Sequence, residues 1–167
     1  MINIVLFEPE IPQNTGNIMR TCVVFKMKLH LIEPLGFSLD EKHLKRSGMD
    51  YIDDLDYTVY SNWDDFYKDK KGQFVYFTRY GLKSFQECKF SSDEDIYLVF
   101  GKESTGIDKN ILKMHLDDCY RIPMNKDSRS LNLSNCVAIA SYECLRQIGF
   151  DDLSEYEVIK GKDFLLK

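Results

Sequence analysis

Continuous apolar runs alternate along the chain with segments whose apolar residues recur at helical spacing. Four runs, rich in branched and aromatic residues, are typical of strands buried on both faces: 2–7, 29–33, 73–78 and 95–100. Residues 132–147 give the strongest helical signal, because small apolar residues follow a turn rich in serine and asparagine. Strands that alternate with helices predict an α/β domain with a mostly parallel sheet flanked by helices.

Weaker signals complete the order of the elements. Further strands are predicted at 57–60 and 119–122, and further helices at 62–70 and 109–114. Residues 14–17 offer helix-capping side chains ahead of apolar residues at helical spacing. We expect a single domain over residues 1–150 and a C-terminal extension over 151–167 that forms a short helix or a mobile tail.

Composition is that of a globular protein, with 167 residues of which 44% are hydrophobic and 29% charged. No apolar run approaches the length of a membrane span, and the first residues lack the basic start of a signal peptide, so we expect a cytoplasmic protein with no membrane contact. Five widely spaced cysteines without a C-x-x-C pair, and three scattered histidines, predict reduced thiols and no metal site. The net charge of −5 argues against a broad nucleic-acid-coating surface but allows a local basic patch.

Three polar turns follow predicted strands, and ligands of open α/β sheets bind beyond the carboxyl ends of strands. In the first turn Asn14 and Arg20 flank a glycine at a helix start. Arg20 could grip a phosphate or polarise a reacting group, or it could be a surface arginine on a capped helix. Spacing alone leaves both interpretations open.

The second turn, 100–107, nearly imitates a phosphate loop. Its second glycine is followed by Ile107 and Asp108 where a P-loop needs lysine and a hydroxyl residue, so nucleotide hydrolysis is excluded. A tight strand-to-helix turn is the simpler interpretation. Glu103 in an apolar context fits that interpretation less well.

The third turn, 128–135, packs three serines, two asparagines and an arginine ahead of the strongest predicted helix. An ordinary helix cap needs one such residue. The surplus favours a site, because backbone N–H groups and short polar side chains at a helix start point towards whatever lies beside it.

Together these segments closely resemble the SPOUT (α/β-knot) RNA 2′-O-methyltransferases, and most of all the small single-domain tRNA (cytidine/uridine-2′-O)-methyltransferases of the wobble position (the TrmL/YibK-like group). The motifs that carry the resemblance are 9–22 (PEIPQNTGNIMRTC), 98–107 (LVFGKESTGI) and 121–124 (RIPM) with 128–135. Segments 31–37 and 45–51 and the Tyr142-Glu143 pair add to it, whereas 57–93 and the extension carry little family signal. The resemblance implies a deep C-terminal trefoil knot, threaded by the chain after Ile122, and a homodimer.

The resemblance also implies an S-adenosylmethionine pocket, S-adenosylhomocysteine as product, and a set of site residues. The implied cofactor-binding residues are Thr78, Gly101, Ile122, Ser130 and Leu131. The implied catalytic residues are Arg20, Asn14, Glu103 and Asn132, and the implied RNA-binding residues are Lys42, Lys45, Arg46 and Arg129. The three basic residues at 42–46 lie on a short helix that Asp40 can cap.

The resemblance also suggests a role for each of the implied catalytic residues. Arg20 would orient the ribose hydroxyl and stabilise developing oxyanion charge, with Asn14 and Asn132 positioning Arg20 and the ribose. Glu103 would anchor the second turn or pair with Arg20. No metal is required, because the leaving group departs as a neutral thioether.

The implied substrate is the wobble nucleotide, position 34, cytidine or uridine, in the anticodon stem-loop of tRNA. Alternatives are a SPOUT enzyme of another tRNA position or of rRNA, a non-catalytic RNA-binding relative, and a small-molecule α/β enzyme. Tyr142 would lie at the dimer interface or near the site, or it could be a buried core aromatic.

Overall fold

The computed structural model describes residues 1–40 and 54–167. Seven strands are present in these residues: β1 Ile2–Phe7, β2 Lys28–Ile32, β3 Tyr57–Tyr60, β4 Gln73–Phe77, β5 Lys83–Ser84, β6 Ile96–Phe100 and β7 Cys119–Arg121. The α-helices there are α1 Pro12–Val24, α2 Trp63–Tyr67, α3 Lys109–Met114 and α4 Leu133–Ile148. Single 3-10 turns occur at Phe85–Glu87, Leu116–Asp118 and Phe164–Leu166. The predicted helix carrying Lys42, Lys45 and Arg46 lies outside the described residues.

All seven strands form one sheet in the order β3-β2-β1-β6-β4-β7-β5, and every neighbouring pair is parallel. This confirms the predicted parallel α/β sheet. Because parallel strands all end at the same edge, the segments after β1, β4, β6 and β7 are neighbours in space. We call the segments 8–11, 78–82, 101–108 and 122–132 the carboxyl edge.

The two faces of the sheet bury different side chains. Along β1, Ile4 and Leu6 belong to an aliphatic core that also includes residues of α1 and α4, whereas Val5 belongs to a second core rich in aromatic rings. Trp63 and Phe66 of α2 contribute to this second core. Burial on both faces explains why the central strands appear in the sequence as unbroken apolar runs.

Four of the five cysteines are buried and all five are free thiols, as expected. Burial raises the pKa of Cys22 to about 12, which keeps this thiol neutral. Within residues 1–40 and 54–167 no cluster of three potential metal ligands occurs, and no helix there is long and apolar enough to cross a bilayer. The 151–167 extension contains only a 3-10 turn, and its Ile159, Leu165 and Leu166 are exposed. Its separation from the 1–150 domain stays a prediction.

Strand β7 lies between β4 and β5, which are consecutive in the chain, so the 78–82 segment must cross it. Two hydrogen bonds fix the crossing: Thr78 N donates to Tyr120 O at 3.0 Å, and Arg121 Nη1 donates to Arg79 O at 2.7 Å. A Cβ on Gly81 would lie 2.6 Å from the Tyr120 carbonyl carbon, so glycine is required there. A trefoil knot needs such a crossing, and the knot itself stays a prediction.

The side chains of Asn3, His30 and Tyr60 form a hydrogen-bonded polar group within the sheet. Asn3 Nδ2 donates to Met1 O and Ile96 O, which leaves Asn3 Oδ1 to accept from His30 Nε2 at 3.0 Å. His30 Nδ1 then accepts from the Tyr60 hydroxyl at 3.1 Å, so this assignment satisfies the neutral imidazole at both nitrogens. Burial lowers the pKa of His30 from 6.5 to about 4.

Stability should therefore fall as the pH drops from 6.5 to 4, because the unfolded chain binds a proton at His30 in this window and the folded chain does not. The expected loss from this residue is on the order of 3 kcal/mol. Urea unfolding at several pH values measures it.

The control is His30→Asn, whose free energy of unfolding should depend less steeply on pH between 6.5 and 4, even if the variant is less stable throughout. The carboxyl groups titrate equally in the wild-type protein and in the variant, so they do not change the difference between the two pH slopes. Identical pH slopes for the two proteins would contradict the prediction.

Candidate active site

The three polar turns predicted from the sequence meet at the carboxyl edge. They follow β1, β6 and β7, and the order β1-β6-β4-β7 brings all three within a few strand spacings, each about 4.8 Å. The fourth segment, 78–82, follows β4 in the middle of this group.

Glu103 joins the first two turns. Its Oε2 accepts from Glu10 N at 2.8 Å, and its Oε1 accepts from Ile11 N and from Asn14 Nδ2, both at 3.1 Å. This carboxylate lies at the start of α1, where backbone N–H groups lack partners and negative charge is favourable. The prediction that residues 14–17 cap this helix was wrong, because α1 begins earlier, at Pro12, and Glu103 supplies the acceptor from another segment.

Asn14 carries the connection on to the third turn. Its Oδ1 accepts from Asn132 Nδ2 at 2.9 Å. Asn132 Oδ1 in turn accepts from Ser134 N at 2.9 Å and Asn135 N at 3.3 Å, which makes Asn132 the N-cap of α4. A continuous hydrogen-bonded connection, the Glu103–Asn14–Asn132 link, therefore runs across three turns.

The link determines what its members can do. Both Glu103 oxygens accept from protein donors, and each of the two asparagine amides is engaged through both its oxygen and its nitrogen. Of the two roles that the resemblance offered for Glu103, the structure shows the anchor of the turns. All three side chains are held by hydrogen bonds, and their roles in the reaction stay predictions.

Arg20 lies apart from the link. It is exposed on α1, about 9 Å along the helix from Asn14 and about 120° around its axis, given the spacing of six residues. The structure thus brings Asn14, Glu103 and Asn132 together and leaves Arg20 on another face of α1. A large ligand at the carboxyl edge could reach both.

Two further contacts between the first and second turns were missed in the sequence. Lys102 Nζ donates to Glu8 Oε2 at 2.6 Å, and Glu10 accepts from Ser104 N at 2.9 Å and Ser104 Oγ at 2.8 Å. The hydrogen bonds from Ser104 hold the pKa of Glu10 below its usual range. The acidic residues at 8 and 10 face the donors at 102 and 104 because β1 and β6 are neighbours in the sheet, so these contacts could not be found without the strand order.

The second turn folds tightly on itself. Gly106 N donates to Lys102 O at 2.9 Å, and a Cβ on Gly101 would lie 2.1 Å from the Gly106 carbonyl carbon. Only glycine fits at 101. This closes the turn so that Glu103 projects towards the start of α1.

The residues that the resemblance assigns to the cofactor lie along the same edge. Thr78, Gly101 and Ile122 directly follow β4, β6 and β7, which are neighbours in the sheet, and all three are half-buried. Ser130 is exposed and Leu131 half-buried in the segment that leads into α4. Their cofactor contacts stay predictions.

The remaining predicted residues are placed as follows. Arg129 is exposed beside Ser130, whereas Lys42, Lys45 and Arg46 lie outside the described residues. Tyr142 is exposed on α4, with its ring 5.6 Å from the Phe150 ring, so the interpretation as a buried core aromatic was wrong.

Residues 1–142 match the SpoU rRNA Methylase family. The chain belongs to this family. A relative from Saccharophagus degradans, a tRNA (cytidine(34)-2′-O)-methyltransferase, is 47% identical over 152 residues, which are 90% of this chain and 97% of the relative. The Escherichia coli K12 protein of the same name is 41% identical over 90% of this chain and 96% of its own length.

The chain is also similar to a protein of solved structure. That structure concerns the 2-OH methylation of C/U34 on tRNA, superposes with a TM-score of 0.81 at 39% identity, and covers 88% of this chain and 95% of the other. Similarity of this extent to methyltransferases of known fold confirms the family suggested by the three motifs.

Replacing Asn14 with alanine should lower the free energy of unfolding by about 1–3 kcal/mol, because it removes the acceptor of Asn132 Nδ2 and one of the two donors to Glu103 Oε1. Urea unfolding measures this loss. Asn17→Ala is the matched control, since Asn17 is an exposed asparagine on the same helix and its loss should cost less than about 0.5 kcal/mol.

A double-mutant cycle with Asn132→Ala separates the link from the helix cap. The two losses should be less than additive, with a coupling energy of about 0.5–1.5 kcal/mol. Strictly additive losses would show that the two amides do not interact.

Proposed function

We propose that this protein transfers the methyl group of S-adenosylmethionine to the ribose 2′-hydroxyl of the wobble nucleotide, cytidine or uridine 34, in the anticodon loop of tRNA. The observation that supports this proposal most directly is the 47% identity, over 90% of the chain, to a relative named for this reaction. The assembly of the three motif turns at one edge gives that similarity a structural basis. A tRNA substrate would place the enzyme in the cytoplasm.

The residues at the carboxyl edge fit such a cofactor. The side chains of Ile122 and Leu131 are apolar and half-buried, which suits the adenine ring, and strand-end backbone groups can read its edge. Thr78 and Ser130 add hydroxyl groups, and Gly101 adds backbone without a side chain. When bound, the cofactor supplies an activated methyl group on a sulfonium, and S-adenosylhomocysteine is the product.

The protein's part in the reaction is alignment and charge stabilisation. The ribose hydroxyl must be held in line with the methyl group, and its proton must be removed as the bond forms. Arginine has a pKa above about 12 and is a poor base, so Arg20 orients the hydroxyl and stabilises the oxyanion charge. The Glu103–Asn14–Asn132 link holds α1, which carries Arg20, against the turns that hold the cofactor.

The role of Arg20 is tested by Arg20→Ala. Methyl incorporation into tRNA should fall by roughly 10²–10³-fold, while the Kd for S-adenosylmethionine, measured by calorimetry, changes less than about threefold. Lys68→Ala, which removes an exposed cation paired with Asp65 beside α2, is the control and should keep full activity. Equal loss of methylation and of cofactor binding would overturn the assignment.

The substrate is tested by mass spectrometry of nucleosides from tRNA incubated with the protein and S-adenosylmethionine. A 2′-O-methylated nucleotide at position 34 is expected, because an anticodon loop exposes its ribose hydroxyls and splayed bases. The family description refers to rRNA, so ribosomal RNA is assayed in parallel. Methylation of rRNA alone, or of another tRNA position, would contradict the proposal.

We also propose that the protein works as a homodimer whose interface includes the exposed face of α1 and α4. The two helices pack together, and their outer surfaces expose Val24, Ile139 and Tyr142. Exposed apolar residues on adjacent helices are typical of an interface between copies.

Ile139→Glu should convert the dimer to a monomer at micromolar concentration, because it places a charge within the apolar contact. Light scattering coupled to gel filtration measures the mass. Ile159→Glu introduces the same change at an exposed isoleucine of the extension and should leave the dimer intact. A wild-type monomer, or two variants that remain dimers, would refute the interface.

A further inference from the structure

Two large side chains stand exposed at the carboxyl edge outside the motif turns. In the 78–82 segment, Tyr80 is 72% exposed and Leu82 is 89% exposed. Most large apolar side chains of this chain are used in its two cores, so this pair is unusual beside a candidate site. The segment also lies within 57–93, which carries little family signal.

The backbone below Tyr80 is fixed. Tyr80 N donates to Thr78 Oγ1 and Gly81 N donates to Thr78 O, both at 3.2 Å, and Gly81 lies directly against the backbone of Tyr120. Arg121 donates to Arg79 O. A rigid backbone with an outward aromatic ring is preorganised for a ligand, so little ordering entropy is lost on binding.

A guanidinium group lies beside the ring. The Arg79 guanidinium carbon lies 5.4 Å from the Tyr80 ring centroid, within cation–π range. Residues 79–82 and 121–132 together contain four cations, Arg79, Arg121, Lys126 and Arg129, and a single carboxylate, Asp127. On a chain of net charge −5, this is a local basic surface.

We propose that Tyr80, with Arg79 beside it, is a stacking platform for one base of the substrate's anticodon loop. An aromatic face next to guanidinium groups matches the chemistry of a base with its phosphate in single-stranded RNA. This inference rests on the proposed function and adds a residue that holds one base of the loop beside the target nucleotide.

The sheet order indicates which base is involved. Strand β4 is two positions from β1, so its segment lies about 10 Å from the first turn, whereas stacked nucleotides are spaced by about 3.4 Å. Tyr80 therefore stacks on a neighbour of the methylated nucleotide rather than on that nucleotide itself.

The first test compares Tyr80→Ala with Tyr80→Phe, which keeps the stacking face. With an anticodon stem-loop RNA, Tyr80→Ala should raise the KM for RNA by about 5- to 150-fold and leave kcat and the Kd for S-adenosylmethionine within about twofold. Tyr80→Phe should restore the wild-type KM. Tyr156→Ala removes another exposed tyrosine that has a cation over its ring, Lys162 at 3.9 Å, and should have no effect.

The second test is a double-mutant cycle between Tyr80→Ala and single abasic substitutions in the RNA loop, read as binding affinity by fluorescence anisotropy. One loop position should show coupling of at least fivefold, because removing either the ring or its base abolishes the same contact. Additivity at every position, or an equal loss on loop RNA and duplex RNA, would overturn the platform.

The two proposals fail in different ways. RNA that binds with coupling at one base but is never methylated would refute the proposed function and keep the platform. Normal methylation with an unchanged KM in Tyr80→Ala would refute the platform alone. No RNA binding by the wild-type protein, or an effect of Tyr80→Ala only on a protein partner, would refute the platform as well.

Discussion

The arrangement of the site depends on the carboxylate of Glu103. It accepts from two backbone N–H groups ahead of α1 and from the Asn14 amide, and so fixes where that helix begins. A charged acceptor satisfies such donors with hydrogen bonds stronger than neutral ones. Glu103 thereby fixes the start of α1 relative to the second turn. Through Asn14 and Asn132 the same connection reaches the start of α4.

The sheet places the turns close enough together for one carboxylate, that of Glu103, to join them. All strands are parallel, so the turns after β1, β6 and β7 emerge at one edge, and the two cores hold both faces of the sheet rigid. The Lys102–Glu8 ion pair and the Ser104–Glu10 hydrogen bonds then join the same two turns on either side of Glu103. Loop residues gain the precision that chemistry requires because rigid elements hold both of their ends.

Local chemistry made much of this predictable. The buried strands appeared as apolar runs, and the serine- and asparagine-rich turn 128–135 indicated where α4 begins. The start of α1 was mispredicted because its acceptor, Glu103, is 92 residues from Ile11. Contacts such as Lys102–Glu8 depend on strand order, which periodicity does not reveal, and the exposure of Tyr80 depends on the crossing of β7.

That crossing has a consequence for how the protein folds. Strand β7 takes its place between two strands that a five-residue segment already joins, and it pairs with residues more than 30 positions earlier in the chain. Contacts of this separation carry a large loop-closure entropy and form slowly. Strand β7 also leads directly into the 122–132 segment and α4, so the edge that holds the candidate site is completed only when the chain reaches its final topology. A chain in which β7 had not paired would lack this edge, even with its other strands in place.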